Sequence, residues 1–448
     1  MLSAGPLRDP DVFWHIRAGA YHLHGKAFPH PDPWSYTRPD VHWHSTAWLS
    51  EVVLAAVDDV AGLRGVQLLR CVLVLAVCLA VSAQVRRRAG GPAAPLVLAI
   101  AVVPLSSYMQ ERPQTVSLLL VVWLAGVAYD HLAEGRLPRW LPLLGLTWLW
   151  AWVHGLFVLV PAVLVVLAAA SFLDRKRTGS NDAGPLLVRA LAAIVVASLT
   201  PGGPAQLIGS LTVGSAAKGI ISEWEATTFS VGSTWGFGAL LVLVIVCWAR
   251  GTAVSRSEVL YVLFCASFGL LAYRNTGPAS LLLVPLAVTR LAAVLPRSSG
   301  LQVPRAAVVA LALLAPVVGL AEYAQQPLLP KNEPTAIAAR LARQPQTIRV
   351  LNDYNISGYL IYTAGNAVRL TVDGRAERYG HEFLHDYDLA SRGDASWRSY
   401  LDRFPTQAAV LPTESPLTQL MTEVAHWQIV TRDHGWALLV PPGGSLAP

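Results

Sequence analysis

The sequence predicts a polytopic α-helical membrane protein of about ten spans that carries a C-terminal extracytoplasmic α/β domain. Of its 448 residues, 54% are hydrophobic and only 14% are charged, whereas soluble globular proteins carry about 25% charged residues. Apolar stretches long enough to cross a bilayer follow one another as far as residue 321. Beyond that residue the composition becomes that of an aqueous domain of ordinary size.

The charges are distributed unevenly along the chain. Residues 1–321 hold 23 Lys+Arg and 15 Asp+Glu, while residues 322–448 hold 11 and 13. We therefore predict a first extracytoplasmic loop with interfacial helices (1–63), a transmembrane domain (64–321) and an aqueous α/β domain (322–448). The net charge of +6 does not indicate a nucleic-acid partner, because its excess lies in the membrane part, where loop arginines set orientation. All four cysteines lie in apolar stretches, which excludes a disulfide framework.

The predicted spans are 66–85, 92–109, 114–132, 138–153, 156–173, 187–201, 234–250, 258–274, 277–295 and 304–321. The run 139–173 would form a helix of roughly 52 Å, which is too long for one span, so we break it at His154-Gly155. The stretch 48–63 contains two aspartates, and 204–221 is rich in Gly and Ser. Both are predicted as interfacial helices.

The arginines orient these spans. With ten spans, one set of loops carries 13 basic residues and the opposite set carries 3, as the positive-inside rule requires for a cytoplasmic and an outer face. Both ends of the chain, the 201–233 loop and the aqueous domain are then predicted to be extracytoplasmic. The basic side comprises Arg86, Arg87, Arg88, Arg136, Arg139, Arg175, Lys176, Arg177, Arg250, Arg256, Arg290, Arg297 and Arg305.

Polar residues of the membrane part collect on the predicted outer face. They are Asp9, Asp11, Glu111, Arg112, His154, Glu223, Glu225, Arg274 and Asn275. A charge near a helix end either snorkels to the interface or has a function, because placing it at bilayer depth costs a few kcal/mol. Their common side favours function: carboxylates for acid/base or metal chemistry, and arginines for an anionic group.

The pair Asp9 and Asp11 is the candidate for a divalent cation, because carboxylate oxygens suit Mg²⁺ and Mn²⁺. The intervening Pro10 also fits an ordinary turn, so both interpretations stay open. The histidine pairs His22/His24 and His42/His44 place both members on one face only in an extended strand. We interpret those histidines as structural.

Several motifs resemble those of one enzyme family. The runs Asp9–His15, Trp34–Thr37 and Trp48–Glu51 are similar to the first extracytoplasmic loop of the C-type-fold (GT-C) membrane glycosyltransferases. Further runs resemble the bacterial branch related to the dolichyl-phosphate-mannose protein mannosyltransferases and the aminoarabinose transferases. These runs are Arg112-Pro113-Gln114, Trp152-Val153-His154-Gly155, Leu199-Thr200-Pro201, Ile221-Ser222-Glu223-Trp224 and Val372-Asp373-Gly374-Arg375-Ala376.

This resemblance implies a reaction in which a sugar passes, with inversion, from a polyprenyl-phosphate carrier to a glycan, lipid or protein acceptor outside the cytoplasm. The enzyme would lie in the cell (inner) membrane. By analogy, Asp9 or Asp11 acts as general base or orients the acceptor. Arg112 and Arg274 are the candidates for the donor phosphate, with Glu223 as a second acidic group, since a departing phosphate needs cationic stabilisation.

The family normally has a membrane helix ahead of the aspartate-containing loop, whereas here the aspartates lie at positions 9 and 11. We expect the natural start to lie upstream, with a span of about 20 residues before Met1.

The aqueous domain alternates strand-like and helix-like segments, which predicts an α/β sandwich with a mixed sheet and a closing hairpin. The predicted strands are 348–351, 368–372, 408–411, 427–431 and 436–440, and the predicted helices are 357–363, 381–391, 396–404 and 416–425. Asp353 and Tyr354, together with His154, are candidates for acceptor binding; for Asp353 and Tyr354 a plain strand-to-helix turn is the alternative. Asp373-Gly374-Arg375 is interpreted as a turn with an ion pair to Glu377 or a neighbour.

Two other functions compete with glycosyl transfer. A lipid or solute transporter would place charges near the bilayer midplane and paired broken helices in related halves, and neither pattern is found in the sequence. A non-catalytic scaffold in envelope assembly is the third hypothesis.

Overall fold

The computed structural model describes residues 5–25, 28–178, 181–200, 202–251, 253–295 and 327–447. Two compact units share these residues. The helical unit comprises Gly5, Leu68–Leu211 and the described part of 221–326. The α/β unit comprises Pro6–Gln67, Thr212–Ile220 and the described part of 327–448. The segment 6–67 therefore packs with the C-terminal residues into one body.

Helices dominate the first 295 residues. In chain order they are α1 (Val12–Leu23), α2 (Trp48–Arg88), α3 (Ala93–Leu105), α4 (Pro113–Glu134), α5 (Trp140–Val153), α6 (Leu159–Thr178), α7 (Ala183–Ala197), α8 (Gly203–Ala217), α9 (Trp235–Ala249), α10 (Arg256–Leu271) and α11 (Thr276–Val294).

Five described helical segments are long and apolar enough to cross a membrane, and they lie at Trp48–Arg88, Pro113–Glu134, Gly155–Arg175, Gly232–Ala249 and Tyr273–Val294. Shorter apolar helical segments occupy Ala93–Tyr108, Trp140–Val153 and Ala183–Ala197. These helices confirm the prediction of a polytopic helical membrane protein. The predicted span 304–321 lies outside the described residues.

Two breaks in the helices were predicted from composition and length. At His154 the backbone is extended, with φ −171° and ψ 149°, so the run 139–173 divides where its length requires. Within α2, Gly62 has φ 61°, a left-handed conformation that glycine adopts without steric cost. This kink separates the aspartate-containing stretch 48–63 from the apolar stretch that follows it.

The α/β unit is built on a five-stranded mixed sheet. Its strands are β1 (Ile348–Asn352), β2 (Val368–Leu370), β3 (Ala408–Pro412), β4 (Gln428–Asp433) and β5 (Trp436–Val440). The spatial order is β2-β1-β3-β5-β4. β1 pairs in parallel with β2 and β3, while β5 pairs antiparallel with β3 and β4. The predicted mixed sheet and closing hairpin are therefore confirmed.

One helix precedes these strands and the others connect them. They are α12 (Thr335–Ala342), α13 (Ser357–Ala364), α14 (Ala376–Tyr379), α15 (His381–Ser391), α16 (Trp397–Arg403) and α17 (Pro416–Glu423). Four of the six were predicted from the sequence; α12 and the short α14 were not. Residues 408–411 of β3 are all buried, as expected for a central strand with both faces covered.

The N-terminal segment completes this sheet. Ser35 forms a parallel bridge with Leu370 of β2, and the Tyr36 amide donates to the Leu370 carbonyl at 3.3 Å. β2 is one of the two outer strands of the five, and an unpaired outer strand is a template for aggregation. The segment around Ser35 therefore covers that edge.

A buried ion network joins the same two segments. The Arg375 guanidinium, which is fully buried, donates to Asp32 at 2.7 Å and to Asp373 at 2.6 Å. Arg378 donates to the same Asp32 oxygen at 2.6 Å. Burial alone would raise the pKa of the Asp373 carboxyl, but the Arg375 charge and its hydrogen bonds outweigh burial and lower that pKa.

Aromatic rings surround the Arg375 guanidinium. The ring centroids of Phe28, Trp34 and Trp43 lie 5.2, 4.7 and 5.0 Å from its central carbon, which adds cation–π attraction in a desolvated position. The predicted ion pair of Arg375 thus forms with Asp373 and Asp32. The prediction gave Glu377 or a neighbour as the partner of Arg375, but Glu377 instead accepts a hydrogen bond from the Trp43 indole at 2.8 Å.

Replacing Asp32 with Asn tests how much this network contributes to the free energy of unfolding. The change leaves two buried arginines with one carboxylate fewer, and breaking a buried ion pair costs about 3–5 kcal/mol. We expect Asp32→Asn to lower the free energy of unfolding of the α/β unit by that amount in denaturant titrations. The exposed Asp40 of the same segment supplies the control, because Asp40→Asn is expected to stay within about 0.5 kcal/mol of wild type. Equal effects of the two variants would contradict a special role for the network.

Candidate functional site

Three predicted residues meet in the helical unit, each held by a different segment. Arg112 directly precedes α4, Glu223 lies in the 3₁₀ turn Ser222–Trp224, and Arg274 lies in the 3₁₀ turn Tyr273–Asn275. Arg112 donates to one Glu223 oxygen at 2.8 Å, and Arg274 donates to the other at 3.1 Å. One carboxylate thus aligns two guanidinium groups, and the three side chains together carry a charge of about +1.

The two turns are fixed to each other through the backbone, and Tyr108 holds the second turn in place. The Tyr273 amide donates to the Glu225 carbonyl at 2.9 Å. The Tyr108 hydroxyl donates to the Tyr273 carbonyl at 3.2 Å and accepts from the Gly277 amide at 3.1 Å. Glu223 and Arg274 are therefore positioned by rigid local structure as well as by their ion pair.

Gln114 and Trp224 extend this cluster. Arg274 donates to the Gln114 side-chain oxygen at 3.4 Å, and its guanidinium carbon lies 4.1 Å from the centre of the Trp224 ring. Because arginine only donates hydrogen bonds, the amide oxygen of Gln114 must face it. The Gln114 amide nitrogen is buried and meets no hydrogen-bond acceptor within the described residues. This nitrogen is a hydrogen-bond donor beside Arg274.

Electrostatics keep Glu223 ionised. Burial raises the pKa of its carboxyl, but the charges of Arg274 and Arg112, with the Arg112 hydrogen bond, outweigh burial and bring that pKa below its ordinary value. His154 contributes a smaller lowering. The His154 ring nitrogen also accepts from the Leu156 amide at 3.3 Å, which caps the turn that follows α5. The structure thus brings Arg112, Glu223, Arg274 and His154 together.

The cluster is open to a ligand. The side chains of Arg112, Glu223 and Arg274 are 21%, 28% and 18% exposed. Guanidinium groups bind phosphate through paired N–H donors. The cluster can therefore bind an anion without the desolvation cost that a fully buried ion pair would impose.

Asp9 and Asp11 lie in the α/β unit, in unlike surroundings. One Asp9 oxygen accepts from the Asp11 amide at 3.1 Å, while an Asp11 oxygen accepts from the Trp14 indole at 2.9 Å. Asp9 is 1% exposed and lines a cavity of about 340 Å³, and Asp11 is not among the residues that line it. The sequence left the choice between the two open, and the cavity favours Asp9 as the acidic residue that meets a ligand.

Two glycines allow the segment that carries Asp9 and Asp11 to pack closely against the rest of the unit. A Cβ atom on Gly358 would lie 2.2 Å from the Pro10 carbonyl oxygen, and one on Gly374 would lie 2.3 Å from an Asp11 carboxylate oxygen. Both distances are shorter than any real contact. The glycine in the Val372–Ala376 motif is thus explained by close packing against Asp11.

The described residues include no group of three or more His, Cys, Asp and Glu side chains arranged to hold a metal ion. The carboxylates of Asp9 and Asp11 each accept a hydrogen bond from the protein itself. A divalent cation, Mg²⁺ or Mn²⁺, at Asp9 and Asp11 stays a prediction from the residue types alone.

Asp353 and Tyr354 make the contacts of a strand-to-helix turn. The Asp353 carboxylate accepts from the Asn355 amide at 2.8 Å, and the Tyr354 hydroxyl donates to the Gly374 carbonyl at 3.2 Å. Burial raises the pKa of the Asp353 carboxyl, against the smaller lowering by its hydrogen bonds to Asn355. Their role in acceptor binding stays a prediction.

Sequence reasoning missed Gln114 and Glu333 as candidates. Gln114 stands two residues after Arg112 at the start of a helix, so its place in the motif was a signal that we could have used. Glu333 lines the same cavity as Asp9 and stands in a segment without any pattern.

No family model and no curated protein sequence matches the chain. Among solved structures, it is similar to the crystal structure of ArnT from Cupriavidus metallidurans bound to undecaprenyl phosphate, at 12% identity and a TM-score of 0.49 over 98% of this chain and 94% of that one. The structure of ArnT from Cupriavidus metallidurans in the apo state gives 13% identity and a TM-score of 0.49 over 97% and 94%. A likeness at this level supports no statement about the activity of this chain or the roles of its residues. The family resemblance therefore rests on the sequence motifs alone.

The lowered pKa of Glu223 predicts a pH-dependent stability. A carboxyl group whose pKa is lower in the folded than in the unfolded state stabilises the fold above its ordinary value of 4.5, and that contribution is lost as the pH falls through the folded-state pKa. Glu223→Gln is expected to lower the unfolding temperature at neutral pH, with the difference from wild type narrowing below about pH 4. Thermal unfolding across this pH series is the measurement. Glu225→Gln, at an exposed position in the same loop, is the control, and a pH-independent difference for Glu223→Gln would contradict the assignment.

Proposed function

We propose that this protein is an inverting GT-C-type membrane glycosyltransferase, which moves a sugar from a polyprenyl-phosphate-linked donor to an extracytoplasmic acceptor. The observation that carries the proposal is the cluster in which Glu223 aligns Arg112 and Arg274. The family resemblance of the motifs supports it, since Arg112 and Glu223 both belong to motif runs. Two convergent, partly exposed arginines form a site for a phosphate group.

The cluster would bind the donor phosphate in this proposal. Arg112 and Arg274 neutralise the charge that develops on the phosphate oxygen as the bond to the sugar breaks. The Gln114 amide supplies a further hydrogen-bond donor. Glu223 acts as a positioning residue here: its ionised carboxylate holds the two guanidinium groups at a fixed spacing, so less conformational entropy is lost when the phosphate binds.

Asp9 would activate the acceptor. In a single displacement with inversion, the acceptor oxygen bonds to the anomeric carbon, the bond from that carbon to the phosphate oxygen breaks, and the acceptor proton passes to a carboxylate. Asp9 is the better candidate because it lines a cavity that Asp11 does not line.

The arginine distribution supports a location in the cell (inner) membrane with the reaction on the extracytoplasmic side. The basic residues at the C-terminal ends of α2, α6 and α9 would lie in the cytoplasm. Arg112, Glu223, Arg274 and the α/β unit would face the opposite compartment, where a polyprenyl-linked donor presents its sugar.

Transfer assays with arginine variants test the donor site. The purified full chain is supplied with polyprenyl-phosphate sugars in liposomes and with a cell-envelope extract as the source of acceptor, and release of the polyprenyl phosphate is followed. Arg112→Gln and Arg274→Gln are each expected to slow release about tenfold to a hundredfold, because a hydrogen bond to a charged group contributes about 1.5–3 kcal/mol. Arg250→Gln, which changes an exposed arginine at the end of α9, is expected to behave as wild type. Equal rates in all four proteins would contradict the donor site.

The same assay tests the base. Asp9→Asn is expected to slow transfer by about 10²–10⁴-fold, the usual contribution of a general base, and Asp40→Asn to leave it unchanged. A larger loss for Asp11→Asn than for Asp9→Asn would reverse the assignment. Wild-type activity in both Asp9→Asn and Asp11→Asn would refute the mechanism.

A further inference from the structure

The cavity beside Asp9 is lined by other side chains to which the transfer mechanism gives no role. Its volume is about 340 Å³, and all of its lining belongs to the α/β unit. Prolines and apolar side chains form part of the wall, and the polar part consists of Arg8, Asp9, Asn332, Glu333, Asn355 and Trp436. This volume is at the lower end of the range of small-molecule sites, and the mixture of apolar wall and few polar groups is typical of them.

Glu333 is a polar residue of this wall whose hydrogen-bonding capacity is not filled by the described residues. One of its carboxylate oxygens is buried and has no hydrogen-bond partner within the described residues. Burial raises the pKa of this carboxyl to about 7. A buried acceptor without a partner destabilises a fold. When such an acceptor lies in a cavity wall, a ligand that donates a hydrogen bond to it removes this free-energy cost.

Trp436 offers the cavity an apolar surface. Its indole N–H, the only donor of the side chain, is already used in a bond of 2.6 Å to the Asn332 carbonyl. This bond fixes the ring at the start of β5. What Trp436 contributes to a ligand is therefore the surface of its ring, held in one orientation.

Asn355 adds a further acceptor. Its side-chain nitrogen donates to Asp353 at 3.2 Å, which orients the amide and leaves its oxygen for another donor. The wall thus combines acceptors on Asp9, Glu333 and Asn355 with one cation, Arg8. Carboxylates of Asp9 and Glu333 next to that cation leave little net charge, which disfavours a strongly ionic ligand.

We infer that this cavity binds a neutral sugar ring, whose hydroxyl groups donate to Glu333 and Asp9 and whose apolar C–H face packs against the Trp436 indole. A sugar ring is a compact ligand with several hydroxyl donors and one apolar face, and the wall supplies acceptors and a fixed aromatic ring. The binding inference stands on the cavity alone. The identification of the bound sugar as the acceptor, which makes the acceptor a glycan, rests on the proposed function.

Ligand-observed NMR on the purified full chain tests the inference. The probes are the methyl glycosides of glucose, galactose and mannose, in a detergent without a sugar head group that would compete. Wild type is expected to bind at least one of them with a Kd below about 10 mM. Glu333→Gln and Trp436→Ala are each expected to weaken that binding at least about tenfold, which corresponds to the loss of one strong contact.

Two controls separate binding from folding. Glu423→Gln changes an exposed carboxylate outside the cavity, and Trp436→Phe keeps an aromatic ring; both are expected to bind within about threefold of wild type. Thermal unfolding shows whether Glu333→Gln is folded. Its unfolding temperature at about pH 8 is expected to be at or above that of wild type, because the variant no longer buries an ionised carboxylate without a partner.

Two results would overturn the inference: no saturable binding of any of the three glycosides to wild type at about 10 mM, or unchanged binding in both Glu333→Gln and Trp436→Ala. The transfer assay distinguishes this failure from failure of the proposed function, because the glycosides are tested without a donor. Transfer without glycoside binding would refute the sugar cavity alone. Glycoside binding without transfer would refute the transferase and leave the cavity as a sugar site.

Discussion

Arg375 carries a positive charge with none of its surface exposed, and the α/β unit is organised around the compensation of that charge. Moving an isolated cation into a protein interior costs several kcal/mol, which only well-placed partners offset. Asp373 supplies one carboxylate from the adjacent turn, and Asp32 supplies the other from the N-terminal segment. The aromatic rings around the guanidinium exclude water from the pairs. The N-terminal segment is therefore an integral part of the unit.

The two ion clusters of this chain differ in burial, and burial decides which of them can bind a ligand. At Arg375 and Asp373 both side chains are fully buried, so no ligand can replace a partner there. At Glu223 the carboxylate is partly exposed, and each of its oxygens serves one arginine. Water reaches this cluster, so folding has not removed the hydration of its charged groups as it does for a buried ion pair. Similar residue types therefore form a permanent connection in one unit and a candidate anion site in the other.

Much of the architecture follows from local patterns. Length and hydropathy located the helices, the break at His154 followed from the length of one apolar run, and the alternation of strand-like and helix-like segments located the strands of the sheet. Arg112 and Arg274 were predicted to bind one phosphate group, with Glu223 as a second acidic group, but the two ion pairs by which Glu223 aligns the arginines were not foreseen. The partnership of Asp32 with Arg375 was not foreseen, because the two lie 343 residues apart and no local pattern encodes such a pair. Glu333 was missed for a related reason: its lack of a partner is a property of the folded cavity.

The bridge between Ser35 and Leu370 has a consequence for the synthesis of this protein. About 330 residues must be made after the N-terminal segment before its partner strand exists, which takes roughly 15–70 s at 5–20 residues per second. During that interval Asp32, Trp34 and the neighbouring aromatic side chains have neither the arginine nor the sheet edge that they later contact. The sheet cannot acquire its complete edge until translation is nearly finished. Assembly of the α/β unit is thus a late event, and it depends on the first 67 residues staying accessible while the membrane helices between the two segments are inserted.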